Sequence, residues 1–407
     1  MKNIRLLTII SALCFVATGI SSILTSLYLQ SLGANFSEIA FIQSSVVITM
    51  LVASYLWGHF SDRSGRRKPM LVGGLTILAI AYFFLSQAPT SGWAWGARVF
   101  EGIGSAAYAT LSLAMMGDLL EKEKQRGQRI GIWRGLGSLG FALGAISGGW
   151  IAEQTSMAHT LMICVGLYAT AALCALALNE IEPAPTSHPG SDHPPQVANP
   201  SESLPASGLA AVAKRALPVA FLTGVFFWVC AHSMSASMWP NYMKTFGYGT
   251  AASGILWGFA AIVEMFVMYG AGALSDRLGR PPLLITGALG IAVTNFGYLT
   301  MASFFPALLV VQLVRGVGFG SYTSTAMTFA AEHGDQRTRG RKTGIFNTMS
   351  SAGGLAGTLL AGNLVQFLGF STLYATCVML ALTSAGCFWL LRRSSAAQWA
   401  VTTSPTA

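Results

Sequence analysis

Charge is what this sequence has least of. Lys, Arg, Asp and Glu make up 10% of its 407 residues, against about 25% in an ordinary water-soluble domain. A chain so poor in charge cannot clothe a globular surface in water, which excludes a soluble fold. Acid is scarcer than base, 15 residues against 24, but the basic excess is not gathered into one face, so nucleic acid is not an expected partner. Cysteine is sparse as well. Cys14, Cys164, Cys174, Cys230, Cys377 and Cys387 all fall inside apolar runs, with no CxxC or Cys/His spacing. They read as small packing residues, not as disulfides or metal ligands. There is no GxxxxGK[ST] loop, which argues against an ATP-driven pump carrying its own motor. No nucleophile–base pair or metal cluster points to an enzyme, and no cofactor is expected.

What the chain has is apolar length. Residues of hydrophobic type make up 53% of it, and runs of about 18 or more such residues read as membrane helices. Six fall in the first part, at about Leu6–Leu29, Glu38–Phe60, Met70–Gln87, Trp93–Met116, Ile130–Glu153 and Ala158–Leu178. The first is too long for a signal peptide and lacks a small-residue cleavage site, so it reads as a span. Six more follow at about Leu217–Met238, Ala251–Leu274, Pro282–Ser303, Phe304–Ala331, Thr343–Phe367 and Ser371–Leu391. Between the sets, residues 179–215 hold seven prolines among Ser, Thr and Asp, including Pro194 and Pro195. That composition makes a flexible linker, and its His188 and His193 read as solvated. The expected organisation is a bundle over 1–178, a linker over 179–215, a second bundle over 216–391 and a tail over 392–407. The fold class is an all-α membrane protein of twelve transmembrane helices in two pseudo-symmetric halves.

The two sets repeat each other. One constant offset relates Asp62 to Asp276, Gly65 to Gly279, Tyr108 to Tyr322 and Asp118 to Glu332. It also aligns Arg98-x-x-Glu101-Gly102-x-Gly104 with Gln312-x-x-Arg315-Gly316-x-Gly318. An offset held over so many positions marks a duplicated unit. Lys and Arg set the orientation. Twenty of the twenty-four fall on the side of the N-terminus, Lys244 alone lies in a loop on the other side, and Arg98, Arg134 and Arg315 lie within spans. Both termini and the linker are therefore expected on the cytoplasmic side, in a bacterial inner (plasma) membrane.

The segment Gly58–Lys68, GHFSDRSGRRK, follows the second span and returns as Gly272–Arg280, GALSDRLGR. With twelve spans in two halves, this G-x-x-x-D-R-x-G-R-R loop resembles that of major facilitator superfamily transporters. Gly58, Asp62, Arg63, Gly65, Arg66 and Arg67 match the loop motif, and Gly272, Asp276, Arg277, Gly279 and Arg280 match its second copy. The resemblance covers all but the linker and the tail. It implies a transporter, working as a monomer in the lipid bilayer on a small-molecule substrate. It also implies a cytoplasmic gate, with Asp62 facing the positive N-terminus of span 11 in the other half. Arg66 is expected to pair with Asp118, and Arg280 with Glu332. Such contacts close the cytoplasmic side and break when it opens. The alternative is that they are topology-setting surface charges.

Span 4 carries Arg98, Glu101, Ser105, Tyr108 and Ser112 at helical spacing, a polar stripe that resembles the family's R-x-x-Q-G-x-G-A-A pattern with Glu101 in place of Gln. Span 10 repeats it as Gln312, Arg315, Phe319 and Tyr322. Charges in a bilayer face the bundle interior, so the stripes are expected to face each other across a central cavity. Arg98 and Glu101 are either a structural pair or a proton-coupling carboxyl and the cation that tunes it. Glu264, midway along span 8, has no countercharge within a turn and reads as functional or as a neutral packing acid. Ser22 and Thr25, with Thr18, give span 1 a polar side. His232 on span 7 lines the cavity or packs inside the bundle. Gln43, Asn347 and Arg134 are weaker candidates. Span 5 contains Gly140-x-x-x-Gly144-Ala145-x-x-Gly148-Gly149, which resembles the antiporter motif of the family's twelve-span efflux branch, but Ala145 stands where that motif has proline. Small residues at this spacing let helices pack closely.

The leading expectation is a proton-coupled secondary transporter of a small organic solute, with efflux of a drug-like compound or sugar ahead of uptake. The alternative is a proton symporter for a sugar, nucleoside or organic anion. From another class, a receptor or scaffold on a transporter fold would tolerate neutralised cavity acids.

Overall fold

A computed structural model describes residues 2–120, 126–179, 217–332 and 339–403, and the described residues are helices joined by short turns. The first half comprises α1 (Lys2–Ser31), α2 (Phe36–Ser64), α3 (Arg67–Ser86), α4 (Ser91–Leu119), α5 (Arg126–Gln154) and α6 (Met157–Leu176). The second comprises α7 (Val219–Thr245), α8 (Thr250–Leu278), α9 (Arg280–Met301), α10 (Phe305–Glu332) and the stretch Arg339–Thr403. That last stretch is broken at Gly369, where φ is 83° and ψ 170°. Its two arms, 339–368 and 370–403, are α11 and α12. The expected linker over 179–215 lies outside the described residues but for Asn179.

The surface inverts that of a soluble protein. Large apolar side chains such as Tyr269, Phe367, Val219 and Tyr55 are more than 70% exposed, while Glu101, Glu264 and Arg315 are buried. Hydrocarbon is the solvent that accepts such an exterior, and polar groups turn inward from it.

The Gly58–Lys68 segment is not the loop its charges suggest. α2 continues through Ser64 and α3 begins at Arg67, so the connection shrinks to Gly65 and Arg66. Nothing in the segment breaks a helix until Gly65, whose φ of 64° is left-handed and whose N–H bonds to the Ser61 carbonyl at 3.1 Å. Gly is the residue that adopts this conformation without strain. Gly279, between α8 and α9, also has a positive φ, 83°, with ψ 165°.

Glycine also sets the helix spacing. In the R-x-x-x-G-x-G stretch of α4, a Cβ on Gly102 would press on Val46 and Thr49 of α2, and one on Gly104 on Gly74 and Leu78 of α3. The repeat obeys the same rule: Gly316 meets Ala260 and Val263 of α8, and Gly318 meets Gly290 of α9. These motif glycines are therefore contact surfaces between helices. In α5, Gly140, Gly144 and Gly148 seat α1 at Ala12, Val16 and Ile20, while Gly149 turns to Thr250 and Gly254 of α8. The span 5 motif thus packs on both sides, one within its half and one across to the other.

Contacts between halves gather at the end of the bundle remote from Gly65, here the far end. Thr250 Oγ1 donates to the Gly149 carbonyl at 2.8 Å. The N–H of Ala251 donates to Glu153 Oε2 at 2.8 Å, and α8 has no side-chain cap of its own, since its N-cap is Gly249. The second half returns the arrangement: the Phe36 N–H, at the start of α2, donates to Gln366 Oε1 at 3.1 Å. Ser37 and Asn363 are 2.9 Å apart beside it. Asn241 Nδ2 reaches the Ser26 carbonyl at 3.4 Å and Gln30 Oε1 at 3.3 Å.

Candidate substrate cavity and gate

Below this seal the halves enclose a cavity of about 340 Å³. α1 supplies five hydroxyls, Thr18, Ser21, Ser22, Thr25 and Ser26, and α2 adds Gln43. α4 contributes Arg98 and Glu101; across from them stand His232, Ser233 and Ser237 of α7, Trp257 of α8 and Thr358 of α11. Most of the α1 hydroxyls already donate to their own helix, Thr18 to the Cys14 carbonyl at 2.8 Å, Ser22 to Gly19 at 2.8 Å and Thr25 to Ser21 at 2.7 Å. Each keeps its oxygen lone pairs, so this wall accepts hydrogen bonds from a guest. Ser26 Oγ has no hydrogen-bond partner among the described residues. The volume lies within the roughly 300–1,000 Å³ typical of small-molecule sites.

The two cavity-level arginines are each matched by an acid. Arg98 Nη1 bonds to Glu101 Oε2 one turn on, and the Tyr82 hydroxyl, fully buried on α3, donates to the other carboxylate oxygen at 3.0 Å. Arg315 of α10 lies 3.5 Å from Glu264 Oε1 of α8, with its guanidinium 3.9 Å over the Trp257 ring. The absence of a countercharge within a turn of Glu264 was a limit of reading along one helix: its partner comes from the neighbouring helix. Neither of these two arginines is left as a bare positive centre.

The two stripes do not face each other along their length. Arg98 and Glu101 reach the main cavity, whereas Arg315 opens onto a chamber of about 10 Å³ beside it. Gln312 is fully buried against the Tyr298 hydroxyl at 3.3 Å. Tyr322 is buried in a ring stack on Trp228, centroids 3.6 Å apart, and Tyr108 packs against the core of the first half. Among the described residues of the two stripes, Arg98, Glu101 and Arg315 line a cavity or chamber, while Gln312, Tyr322 and Tyr108 pack within their own halves. His232 both lines the cavity and packs, stacked on Trp228 at 5.3 Å.

At the gate end, the expected Arg66–Asp118 pair is replaced by Arg67–Asp118. Arg66 is the exposed N-cap of α3. Arg66 lies in the short connection with an extended backbone, whereas Arg67 opens α3 and faces α4. The second half has Pro281 at the position of Arg67, and there Arg280 bonds to Glu332 through Nη2 at 2.7 Å and Nε at 3.0 Å. Both pairs lie within one half. Arg63 and Arg277 are exposed. The side chains of Asp62, Asp276 and Arg134 lie outside the described residues. Replacing Arg67 by Ala is expected to lower stability by about 1.5–3 kcal/mol, the worth of a hydrogen bond between charged groups, and Arg66→Ala by much less. Thermal unfolding of the purified variants checks the order; equal losses would contradict this pairing.

Tyr82, Trp257 and Thr358 were not legible as site residues beforehand. A signal for Trp257 was present, since it stands seven residues before Glu264 and so on the same face of α8. Tyr82 was a phenol in an apolar span, a group that when buried needs a partner.

Twelve helices in paired halves around a central polar cavity define a membrane transporter, a multi-pass protein of the bilayer acting on a small molecule. The family model for the Major Facilitator Superfamily matches residues 6–304 and 268–406, and the chain belongs to that family. It is 25% identical over 399 residues, 95% of this chain and 97% of its relative, to a Deinococcus radiodurans protein named "Putative sugar efflux transporter". A shorter match, 29% over 120 residues, covers 30% of this chain and 22% of citrate exporter 1 from Aspergillus niger. Among solved structures, the nucleoside transporter NupG superposes with a TM-score of 0.76 at 17% identity, covering 97% of this chain and 99% of that one. A bacterial homologue of the human lysosomal transporter Spinster, titled as inward-facing and occupied, gives 0.74 at 14% identity and 96% of each chain. Both likenesses are of fold.

Proposed function

We propose that this protein exports a small, net-neutral polar solute, of sugar size and chemistry, by proton-driven alternating access. The observation that carries the reading is a hydroxyl-lined cavity of about 340 Å³ whose lining arginine, Arg98, is matched by Glu101, with Arg315 beside it facing Glu264. Hydroxyl walls and the Gln43 amide suit a guest rich in hydroxyls. An organic anion would find neither of these arginines uncompensated, and a lipophilic drug would leave polar walls unpaired. Export in preference to uptake takes its support from the full-length likeness to a protein named for sugar efflux. The protein works as a monomer in a bacterial inner membrane. With the basic end cytoplasmic, the far-end seal closes the outer side, so the cavity is one that loads from the cytoplasm.

Cells expressing the protein are expected to accumulate less radiolabelled lactose or methyl glucoside than control cells, with the difference erased by a protonophore. A charged probe such as citrate should show no difference. Raised accumulation that is protonophore-sensitive would replace export by uptake symport, and citrate as the better substrate would overturn the neutral-solute reading.

A further inference from the structure

We propose that the chamber beside the substrate cavity is a one-hydroxyl subsite: it takes the primary hydroxyl that a hexose carries on its one-carbon arm, and so selects sugars that have one. The assignment deepens the sugar reading above and rests on it. The duplication explains where the chamber comes from. Thr18, Ser21, Ser22, Gln43 and Glu101 line the main cavity. The constant offset carries them to His232, Ser235, Ala236, Trp257 and Arg315, all of which line the chamber. The same wall is thus built twice. In the second half two rings, His232 and Trp257, replace Thr18 and Gln43, and the space is divided into cavity and recess. Those two rings and Ala236 line both spaces, so they form the partition, and Ala236 is its smallest member. The rings are held in place by their neighbours. His232 lies against Trp228 and Phe319, with ring centroids 5.3 and 4.9 Å away. Trp257 lies against Trp239 at 4.8 Å and carries the Arg315 guanidinium. A doorway framed by fixed side chains discriminates by size.

The recess is polar and short of one partner. Asn295 is fully buried on α9. Its Nδ2 donates back to the Ile291 carbonyl at 2.8 Å, which leaves Oδ1 as an acceptor with no hydrogen-bond partner among the described residues. The Thr294 hydroxyl donates to the Gly290 carbonyl at 2.7 Å and the Tyr298 hydroxyl to Gln312 at 3.3 Å, so neither serves Asn295. Arg315 has five N–H groups, more than its 3.5 Å contact with Glu264 uses. The group that suits this recess donates one hydrogen bond and accepts another, and a hydroxyl does both. The volume, about 10 Å³, has room for one oxygen atom. A hydroxyl fixed directly on a sugar ring stays on the cavity side with its ring. One on a one-carbon arm reaches a bond farther, past Ala236. A methyl group in its place would leave the buried acceptor unpaired, and sites that bond a hydroxyl discriminate strongly against analogues lacking it.

The test is exchange of radiolabelled methyl glucoside across liposomes holding the full-length protein, with unlabelled competitors. The 6-deoxy and 6-deoxy-6-fluoro analogues are expected to need about 10- to 100-fold more than methyl glucoside for half inhibition, because one buried acceptor is left unpaired. The fluoro compound fills the space but cannot donate, so it separates hydrogen bonding from fit. Asn295→Leu should bring the three sugars together, and Ala236→Val, which narrows the doorway, should do the same through a different residue. Each result is a ratio within one protein, so a variant that folds poorly lowers the signal without moving it. Equal competition by all three sugars in wild type would overturn the subsite. So would a fluoro analogue as effective as methyl glucoside, or discrimination that survives in Asn295→Leu, or in Ala236→Val should Asn295→Leu not fold. In each of those cases the sugar reading stands. Wild-type protein that exchanges no methyl glucoside would bring down the sugar reading and the subsite together.

Discussion

An Arg98→Ala protein is expected to lose transport altogether and about 3–5 kcal/mol of stability, the cost of leaving the buried partner of an ion pair without its countercharge. Arg98 and Glu101 are only 11% and 12% exposed at their side chains, so water cannot take over the missing role. The double variant Arg98→Ala/Glu101→Ala is expected to regain most of the stability, since it removes both charges at once, but none of the transport. A thermal unfolding series of wild type, both single variants and the double variant separates the two effects. If Arg98→Ala unfolds at the wild-type temperature, the pair is not what holds this part of α4.

The second large effect comes from two glycines with different neighbours. Gly144 faces the Val16 backbone within its own half, and Gly254 faces the Ala145 backbone and Gly149 across the far-end seam. Overpacking costs about 1–3 kcal/mol, and each site must put that strain somewhere. At Gly144 the half itself must yield, because α1 and α5 stay together in every state of a rocking transporter. Gly144→Val is expected to reduce folded protein severely. At Gly254 the halves can move apart instead. Gly254→Val is expected to fold, to favour the arrangement open at the far end by roughly 5- to 150-fold, and to transport correspondingly little. Asn241, buried in the seal, reports the shift: in a cysteine-free background, Asn241→Cys should react faster with an impermeant maleimide when Gly254→Val is added. Unchanged labelling with transport lost would mean that the seam is not a gate.

These contrasts also mark what could be read from the chain beforehand. The spans were legible because hydrocarbon demands long apolar runs, and the duplication because the glycines of α4 and α10 hold one register. The Arg280–Glu332 pair was legible from that register too. Its partner in the first half was not. With Arg66 and Arg67 adjacent, the choice between them depends on where the turn between α2 and α3 ends, which the charged composition of the segment disguised. Glu264 read as isolated because its countercharge sits on another helix, a tertiary fact. Thr25 and Ser22 were found, since hydroxyls contrast with an apolar span, whereas Trp257 looked like any lipid-facing aromatic.

The caps at the far end have a consequence for how the molecule spends thermal energy. Glu153 and Gln366 each lend an acceptor to the first turn of a helix in the opposite half. When the halves part, both helix starts and both acceptors meet bulk water at the membrane surface, and water substitutes for each lost bond at a net loss of about 0.5–1.5 kcal/mol. A greasy seam would have to be rewetted at full cost, and a buried ion pair would have to be torn open. This door is hung instead on bonds that the surrounding liquid can make equally well, so random motion at ordinary temperature suffices to swing it, and small changes deeper in the bundle can decide which way it rests.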